Sequence, residues 1–357
     1  MVETMKTVMI MKKRIFTVLA AALVLVGCHN FDTDFPDYKY TTGYFPYQFP
    51  VRTIVLGNDQ TPNDNDNAGK FVISAAMGGV YKNTKDRDIS FKVDESLCNG
   101  VTFANGDPVK ALPSSYYTLS NTSVITIPKG AYNGGITVQL SDAFFNDPDA
   151  IKNTYVVPLV MTGTSDLDSL LVGARNKVVS NPDRRFESQW AIAPKDFTMF
   201  GVKFITELHG HWFHYGSATV TASGKSETVE YKEADDFNSD VTGNEVVMLT
   251  TTGRHTSEMT QALKGTLMDL DATLVFTQNG ENVTISAPED AEYTVTGSGT
   301  YKLDTASPYN RWSNKDRYVL TYSFTLTDAG GNTYKANDVL VARDRNVTLE
   351  TYTIKAL

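Results

Sequence analysis

The chain has 357 residues, 41% hydrophobic and 20% charged, with 32 Lys and Arg against 41 Asp and Glu and only two cysteines. That composition excludes a disordered tail and a disulfide-stapled miniprotein, and at roughly 100–200 residues per domain it suggests two globular domains. The formal charge of −9 argues against a nucleic-acid partner, because a polyanion would be repelled.

The first predicted element is a targeting segment. Lys12, Lys13 and Arg14 precede an apolar run from Ile15 to Val26, 12 residues long. A helix of that length cannot cross roughly 30 Å of hydrocarbon, so residues 1–27 read as a signal peptide. The run ends in Leu25-Val26-Gly27-Cys28, which resembles a bacterial lipobox, whose cysteine receives diacylglycerol on sulfur and an acyl chain on its amine after cleavage. Several chains on one residue give lasting membrane anchorage; the alternative is a secreted protein with an incidental cysteine. Cleavage before Cys28 removes Glu3, Lys6, Lys12, Lys13 and Arg14, deepening the net charge from −9 to −12. Residues 28–45 then form a tether, and its acid-bearing stretch His29 to Asp37 resembles the export signal that displays Bacteroidota lipoproteins on the outer face of the outer membrane. With Cys28 acylated, Cys98 is the remaining thiol; no His or cation flanks it, so a packed structural thiol is expected over a catalytic one.

Strands dominate the remainder of the chain. Val51–Leu56, Lys70–Ala76, Ile89–Val93, Tyr116–Leu119, Val124–Ile127, Ile136–Leu140 and Tyr155–Met161 are β-branched or aromatic runs punctuated by Gly, Asn, Asp and Pro. Seven such runs over residues 46–182 predict an immunoglobulin-like β-sandwich. A polar, proline-marked break near Ser180-Asn181-Pro182-Asp183 opens a second domain, residues 183–357. Its runs are Phe197–Leu208, Trp212–Thr221, Thr228–Tyr231, Val246–Thr251, Thr273–Thr277, Asn282–Ser286, Tyr293–Leu303, Tyr318–Thr327, Thr333–Val341 and Thr348–Ile354. Strands in such simple succession predict an up-and-down antiparallel barrel, lipocalin-like in outline. Asn279-Gly280 and Gly330-Gly331 mark hairpins. Tyr318, Leu320, Tyr322, Phe324 and Leu326 alternate onto one face that should point into the barrel, and Ser257–Leu270 is spaced as a short amphipathic helix.

These residues carry a family resemblance. Val51-Arg52-Thr53-Ile54-Val55-Leu56-Gly57, Gly69 to Ile73, Gly78 to Asn83, Phe91 to Asp94, Ile127-Pro128-Lys129-Gly130 and Tyr155 to Leu159 resemble domain of unknown function 1735, a module of Bacteroidota surface lipoproteins. Tyr318 to Tyr322 and Val341-Ala342-Arg343-Asp344-Arg345 are similar to a companion module, domain of unknown function 5627, associated with a lipocalin-like barrel. The resemblance implies an auxiliary protein of a glycan-utilisation apparatus of the starch-utilisation-system kind, working beside an outer-membrane porin and a lipoprotein lid. It brings no catalytic residues and no cofactor.

Candidate chemistry arises from local composition. Glu207-Leu208-His209-Gly210-His211-Trp212-Phe213-His214 holds three of the five histidines. His209 and His211 fall on one strand face and are weak zinc candidates lacking a nameable fourth ligand; side chains lining a barrel mouth are the favoured reading. Asn58-Asp59 to Asn67 is oxygen-rich but lacks the EF-hand glycine and glutamate, so a solvated hairpin tip is expected over calcium. Carbohydrate binding needs an aromatic face flanked by amide, carboxylate or guanidinium groups. Tyr309, Asn310, Arg311, Trp312 and Asn314 have that composition in an expected loop, and Trp212 with Tyr215 is a second candidate; for each tryptophan the competing reading is a core plug. No Gly-x-Ser-x-Gly elbow, Cys/His arrangement or phosphate-cradling loop occurs, which favours a non-catalytic protein. The expectation is a lipid-anchored surface protein that captures an oligosaccharide or polysaccharide. An adhesin or scaffold subunit, or a carrier of a small apolar ligand, is the alternative.

Overall fold

Each of the seven N-terminal runs forms a strand: Pro50–Val55, Lys70–Gly78, Arg87–Val93, Tyr117–Leu119, Val124–Ile127, Asn133–Leu140 and Tyr155–Thr164. The computed structural model describes residues 38, 40–59, 61–232, 243–304 and 315–357; from Tyr40 on, all of these except Gly79–Lys82 belong to one unit. Two sheets build the N-terminal half. One runs Ser169–Leu170, Thr42–Tyr44, Lys70–Gly78, Asn133–Leu140, Tyr117–Leu119. The other runs Glu350–Thr351, Pro50–Val55, Phe197–Ile205, Tyr155–Thr164, Arg87–Val93, Val124–Ile127, with Lys110–Ala111 beside Tyr155–Thr164. Alternation aims the core: Phe71, Ile73, Ala75 and Met77 of one strand are all buried, and the Phe71 and Phe200 rings stack at 5.4 Å.

Two segments expected in the barrel belong to this half instead. Phe197–Ile205 pairs antiparallel with Tyr155–Thr164 and parallel with Pro50–Val55. The run 348–354 likewise returns: Glu350–Thr351 pairs with Pro50–Val51, and Ile354–Ala356 pairs with Val101–Phe103. The reason is a second apolar layer. Tyr155 to Met161 is buried without alternation, because its opposite face packs, through Val156 and Val160, against Phe103, Val109, Phe197, Met199 and Tyr352. A strand buried on both faces reads as a continuous apolar run. Tyr352 anchors the tail, its hydroxyl donating to the Met199 carbonyl at 2.7 Å. Cys98 is packed beside this layer, and burial pushes its thiol up to about 12.

The C-terminal half is a closed eight-stranded barrel. Its ring is Gly210–Ala222, Glu245–Thr251, Thr256–Ala262, Asp271–Asn279, Asn282–Ser286, Tyr293–Asp304, Arg317–Asp328 and Thr333–Asp344, and closure comes from pairing of the first with the last. A further strand, Lys225–Tyr231, pairs with Gly216–Ala222, while Glu245–Thr251 takes the Gly210–His214 part of the same edge. The expected helix over 257–270 is corrected: Thr256–Ala262 is a strand, Met259 facing Leu274 and Ser257 facing Phe276 across the ladder. Ser257 and Met259 are both buried, a period-2 pattern that the partner strand rewards more than a helix would.

Leu320, Tyr322, Phe324 and Leu326 do point inward, with Tyr318 packed against the same cluster. Small residues opposite make room: a Cβ on Gly299 would sit 2.6 Å from Tyr322 Cβ, and one on Gly297 2.6 Å from Phe324 Cβ. Phe276, Leu274, Leu340, Tyr334 and Trp212 complete the filling. Each such side chain contributes about 1.5–3 kcal/mol through burial. An interior packed in this way is a core, which corrects the lipocalin-like carrier alternative.

A candidate binding cleft at the barrel mouth

Strand register builds the aromatic wall of the site. Tyr301 pairs with Leu320 and Leu303 with Tyr318, so Tyr301 and Tyr318 become diagonal neighbours on adjacent strands. Their rings stack at 5.3 Å with 20° between planes. Trp212 meets Tyr301 edge-on at 6.3 Å and its indole donates to the Leu208 carbonyl at 3.0 Å. Trp212 and Tyr301 are buried whereas Tyr318 is half-buried. The three rings therefore step from the core to the wall of an open cleft of about 780 Å³.

The facing wall comes from the Asn58–Asp66 loop of the sandwich. This loop leads into a single helical turn, Asp64–Asn67, held by its own side chains. Asp66 is buried, pairs with Arg52 and accepts from the Val55 amide at 3.0 Å. Asn63 donates to the Val55 and Gly57 carbonyls at 2.8 Å each. The loop stays largely exposed, but the expected hairpin tip is corrected: the strands it joins, Pro50–Val55 and Lys70–Gly78, lie in different sheets, and Asn63 and Asp66 bond the local backbone.

Glu207 joins the two walls. Its carboxylate accepts from the Asn58 amide at 2.8 Å, from Asn58 Nδ2 at 2.7 Å and from Gln278 Nε2 at 2.9 Å. Gly57 is required there: its φ is +79°, and an added Cβ would lie 2.4 Å from Glu207 Cβ. Arg345 is the rivet, donating to the carbonyls of His209 and Asn58 at 3.0 Å each, of Leu56 at 3.2 Å, and of Thr206. Burial pulls its pKa down, with Asp59, Tyr301 and Glu207 opposing. Burial raises the hydroxyl pKa values of Tyr301 and Tyr318, and the Glu207 charge adds to both. These phenols stay neutral and keep a proton to donate.

The histidines separate. His211 lines the cleft, its Nδ1 2.7 Å from Asp344 Oδ1. His209 accepts at Nδ1 from the Thr251 amide at 3.0 Å, and burial followed by the Arg345 charge pulls it down to about 4. The two rings are thus committed to different partners, and among the described residues no group of three or more His, Cys, Asp or Glu is placed to hold a metal ion.

Of the sequence candidates, Trp212 lies in this cleft as its floor. Tyr215 does not: it is buried on the opposite strand face with Phe213, Val319 and Val341, since side chains three apart on a strand point apart. Tyr309, Asn310, Arg311, Trp312 and Asn314 lie outside the described residues, as does Cys28. Missed were Tyr301, Asn58 and the exposed role of Tyr318. The available signal was that Tyr301 and Tyr318 sit at the facing ends of two long alternating strands.

Comparison with known proteins agrees with the two halves. A family model described as an N-terminal domain matches residues 38–168, and domain of unknown function 5627 matches residues 207–346. The second match begins after Phe197–Ile205, the strand found in the sandwich. A solved Bacteroides ovatus protein of unknown function is 33% identical, covers 90% of this chain and 100% of its own, and superposes with a TM-score of 0.80. The chain belongs to that family. Two further Bacteroides ovatus structures align over most of their length. One, of unknown function, is 14% identical with a TM-score of 0.38, covering 87% of this chain and 100% of its own. The other, provisionally described as a carbohydrate-binding protein, is 12% identical with a TM-score of 0.27, covering 88% and 98%. Superpositions that low carry no inference for this member of the family. No curated protein matches the chain.

Proposed function

We propose that this protein is a non-catalytic, lipid-anchored surface protein that binds a glycan at the barrel-mouth cleft. The observation that carries the reading is the half-buried Tyr318 ring stacked on Tyr301, bordered in one cleft by Glu207, Asn58, His211 and Asp344. A flat ring accepts the C–H face of a sugar, and the flanking carboxylates, amide and imidazole take its hydroxyls. Rigid support from Trp212 below and Arg345 behind reduces the ordering cost of binding. Cys28, acylated after signal cleavage, holds the protein to the outer membrane facing outward, where it serves a polysaccharide-utilisation system with a porin and lid lipoprotein as neighbours.

Affinity gel electrophoresis of the purified mature protein through a panel of polysaccharides tests the binding. Retardation by at least one glycan, lost in Tyr318→Ala, is the expected result; no retardation by any glycan rejects the function. Metabolic labelling with a fatty acid should mark the wild type and leave Cys28→Ser unlabelled.

A further inference from the structure

We infer that the cleft recognises the carboxylate of an isolated uronic acid residue on an otherwise uncharged glycan, with Arg343 as the group that receives it. The inference rests on the glycan-binding reading and adds its ligand class. Its starting point is the irregular end of the last barrel strand. His211 pairs with Asp344 and Trp212 with Ala342, so Arg343 is the extra residue between them, without a partner on that strand. A bulge of this kind re-aims side chains at a barrel rim, and here Arg343 lines the cleft together with Ala342 and Asp344. The ladder pair of Val319 and Val341 sets Ala342 beside Tyr318 on the neighbouring strand, so the arginine stands one residue along from the ring on which the sugar lies.

The guanidinium is supported from behind and left open in front. It lies over the buried Phe213 ring, 6.0 Å from the centroid, and its side chain is 42% exposed. Asp344 is 3.7 Å away, beyond hydrogen-bonding distance, and among the described residues Arg343 makes no hydrogen bond. The carboxylates around it are already partnered. Asp344 is bonded to His211 at 2.7 Å and to the Asn346 amide at 3.0 Å, Asp66 to Arg52 and the Val55 amide, and Glu207 to Asn58 and Gln278 with the Arg345 charge nearby. Arg52, on the facing wall and 44% exposed, uses one nitrogen on Asp66 and adds a second positive charge to the cleft. A planar fork with unspent N–H groups matches a carboxylate through two parallel hydrogen bonds. The match is to one carboxylate, because the chain as a whole carries −9 and repels a dense polyanion.

The test compares one polysaccharide before and after its carboxylates are reduced to primary alcohols. Affinity gels for the mature protein contain glucuronoxylan or gum arabic, which carry sparse uronic acid, the carboxyl-reduced form of each, neutral starch and galactan, or polygalacturonate. The expected result is retention by at least one sparsely acidic glycan, with at least about tenfold weaker retention by its reduced form and by polygalacturonate. The gap between native and reduced forms should close in Arg343→Gln and narrow in about 0.5 M salt, where exposed charges are screened. A thermal midpoint of the variant close to the parent keeps that comparison free of folding effects, and the native-against-reduced comparison on the parent protein stands without any variant. Equal retention by the two forms, or retention by neutral glycans alone, overturns carboxylate recognition and leaves glycan binding standing. A gap that persists in Arg343→Gln overturns the assignment to Arg343, and tightest retention by polygalacturonate overturns the preference for an isolated uronic residue. Failure of every glycan, neutral and acidic, overturns the binding function and the ligand class together.

Discussion

At its mouth the barrel sets Tyr318 over Tyr301 beside Glu207, with the outer ring half-buried; four residues further along the same strand it seals Tyr322 beside Asp338, both about 1–2% exposed. The residue types are the same and the outcomes differ. In the interior, His214 lies between Glu245 Oε2 at 3.1 Å and Asp338 Oδ2 at 3.3 Å. Lys264 pairs with Glu245, and Tyr231 donates to Asp338. Opposite charges thus neutralise one another inside the wall, and the tyrosines serve as spacers. At the mouth, Glu207 accepts from Asn58 and Gln278 with the Arg345 charge nearby, and a ring face is left for a ligand. Tyrosine and carboxylate make a core where the rings are sealed with their charge partners, and a binding surface where one ring is left half-buried.

The largest effect expected from breaking this contrast is in the interior. Asp338→Ala leaves His214, Tyr231 and Tyr322 without their shared carboxylate and should cost about 3–5 kcal/mol in urea unfolding; an unchanged midpoint would erase the distinction between belt and mouth. Arg345→Lys should come next. A single ammonium cannot span the carbonyls of Leu56, Asn58, Thr206 and His209, so a loss of about 1–3 kcal/mol is expected, with weaker glycan retention as the Asn58 wall loosens. Tyr318→Ala should do the reverse. Stability should fall by about 1–2 kcal/mol, while glycan affinity drops at least about tenfold, equivalent to about 1.4 kcal/mol.

The remaining effects are pH slopes, and the two regions should show opposite signs. Burial would lower the His214 pKa, but Asp338 and Glu245 outweigh it and raise the value. Its stabilisation is therefore complete below the unfolded value near 6.5 and lost as pH rises through the raised folded value. His209, held down to about 4 by burial and then by Arg345, does the opposite. Between about 6.5 and 4 the unfolded chain takes up a proton that the folded chain refuses, so acidification across that window destabilises. Urea midpoints measured from pH 4 to 9 should lose the acid slope in His209→Gln and the alkaline slope in His214→Gln.

Local pattern made most strands legible. Val124–Ile127 and Asn282–Ser286 fall where their β-branched runs place them, and the inward face of Arg317–Asp328 is set by alternation alone. Errors arose where a segment's partner lay far along the chain. Phe197–Ile205 comes after the domain break in sequence, yet Val156, Val160 and Tyr352 draw it into the sandwich's second layer. Thr256–Ala262 carries a spacing compatible with a helix until Asp271–Asn279 offers it a ladder. Trp212 was visible as an aromatic at the barrel entrance, with a core plug as the competing reading, but the irregularity at His211 and Trp212, where the register against Thr333–Asp344 shifts, was not.

Sequence alone determined the all-β class, the two modules and the inward stripe of the barrel, because periodicity and turn chemistry are local. The tertiary structure alone decided the cleft. Leu56 and Arg345 are separated by 289 positions, and Asn58 and Glu207 by 149, and nothing in their own neighbourhoods marks them as partners. Sheet register and the docking of a sandwich loop against a barrel mouth bring them within hydrogen-bonding distance, and those are properties of closed ladders and packed layers that no single stretch of chain contains.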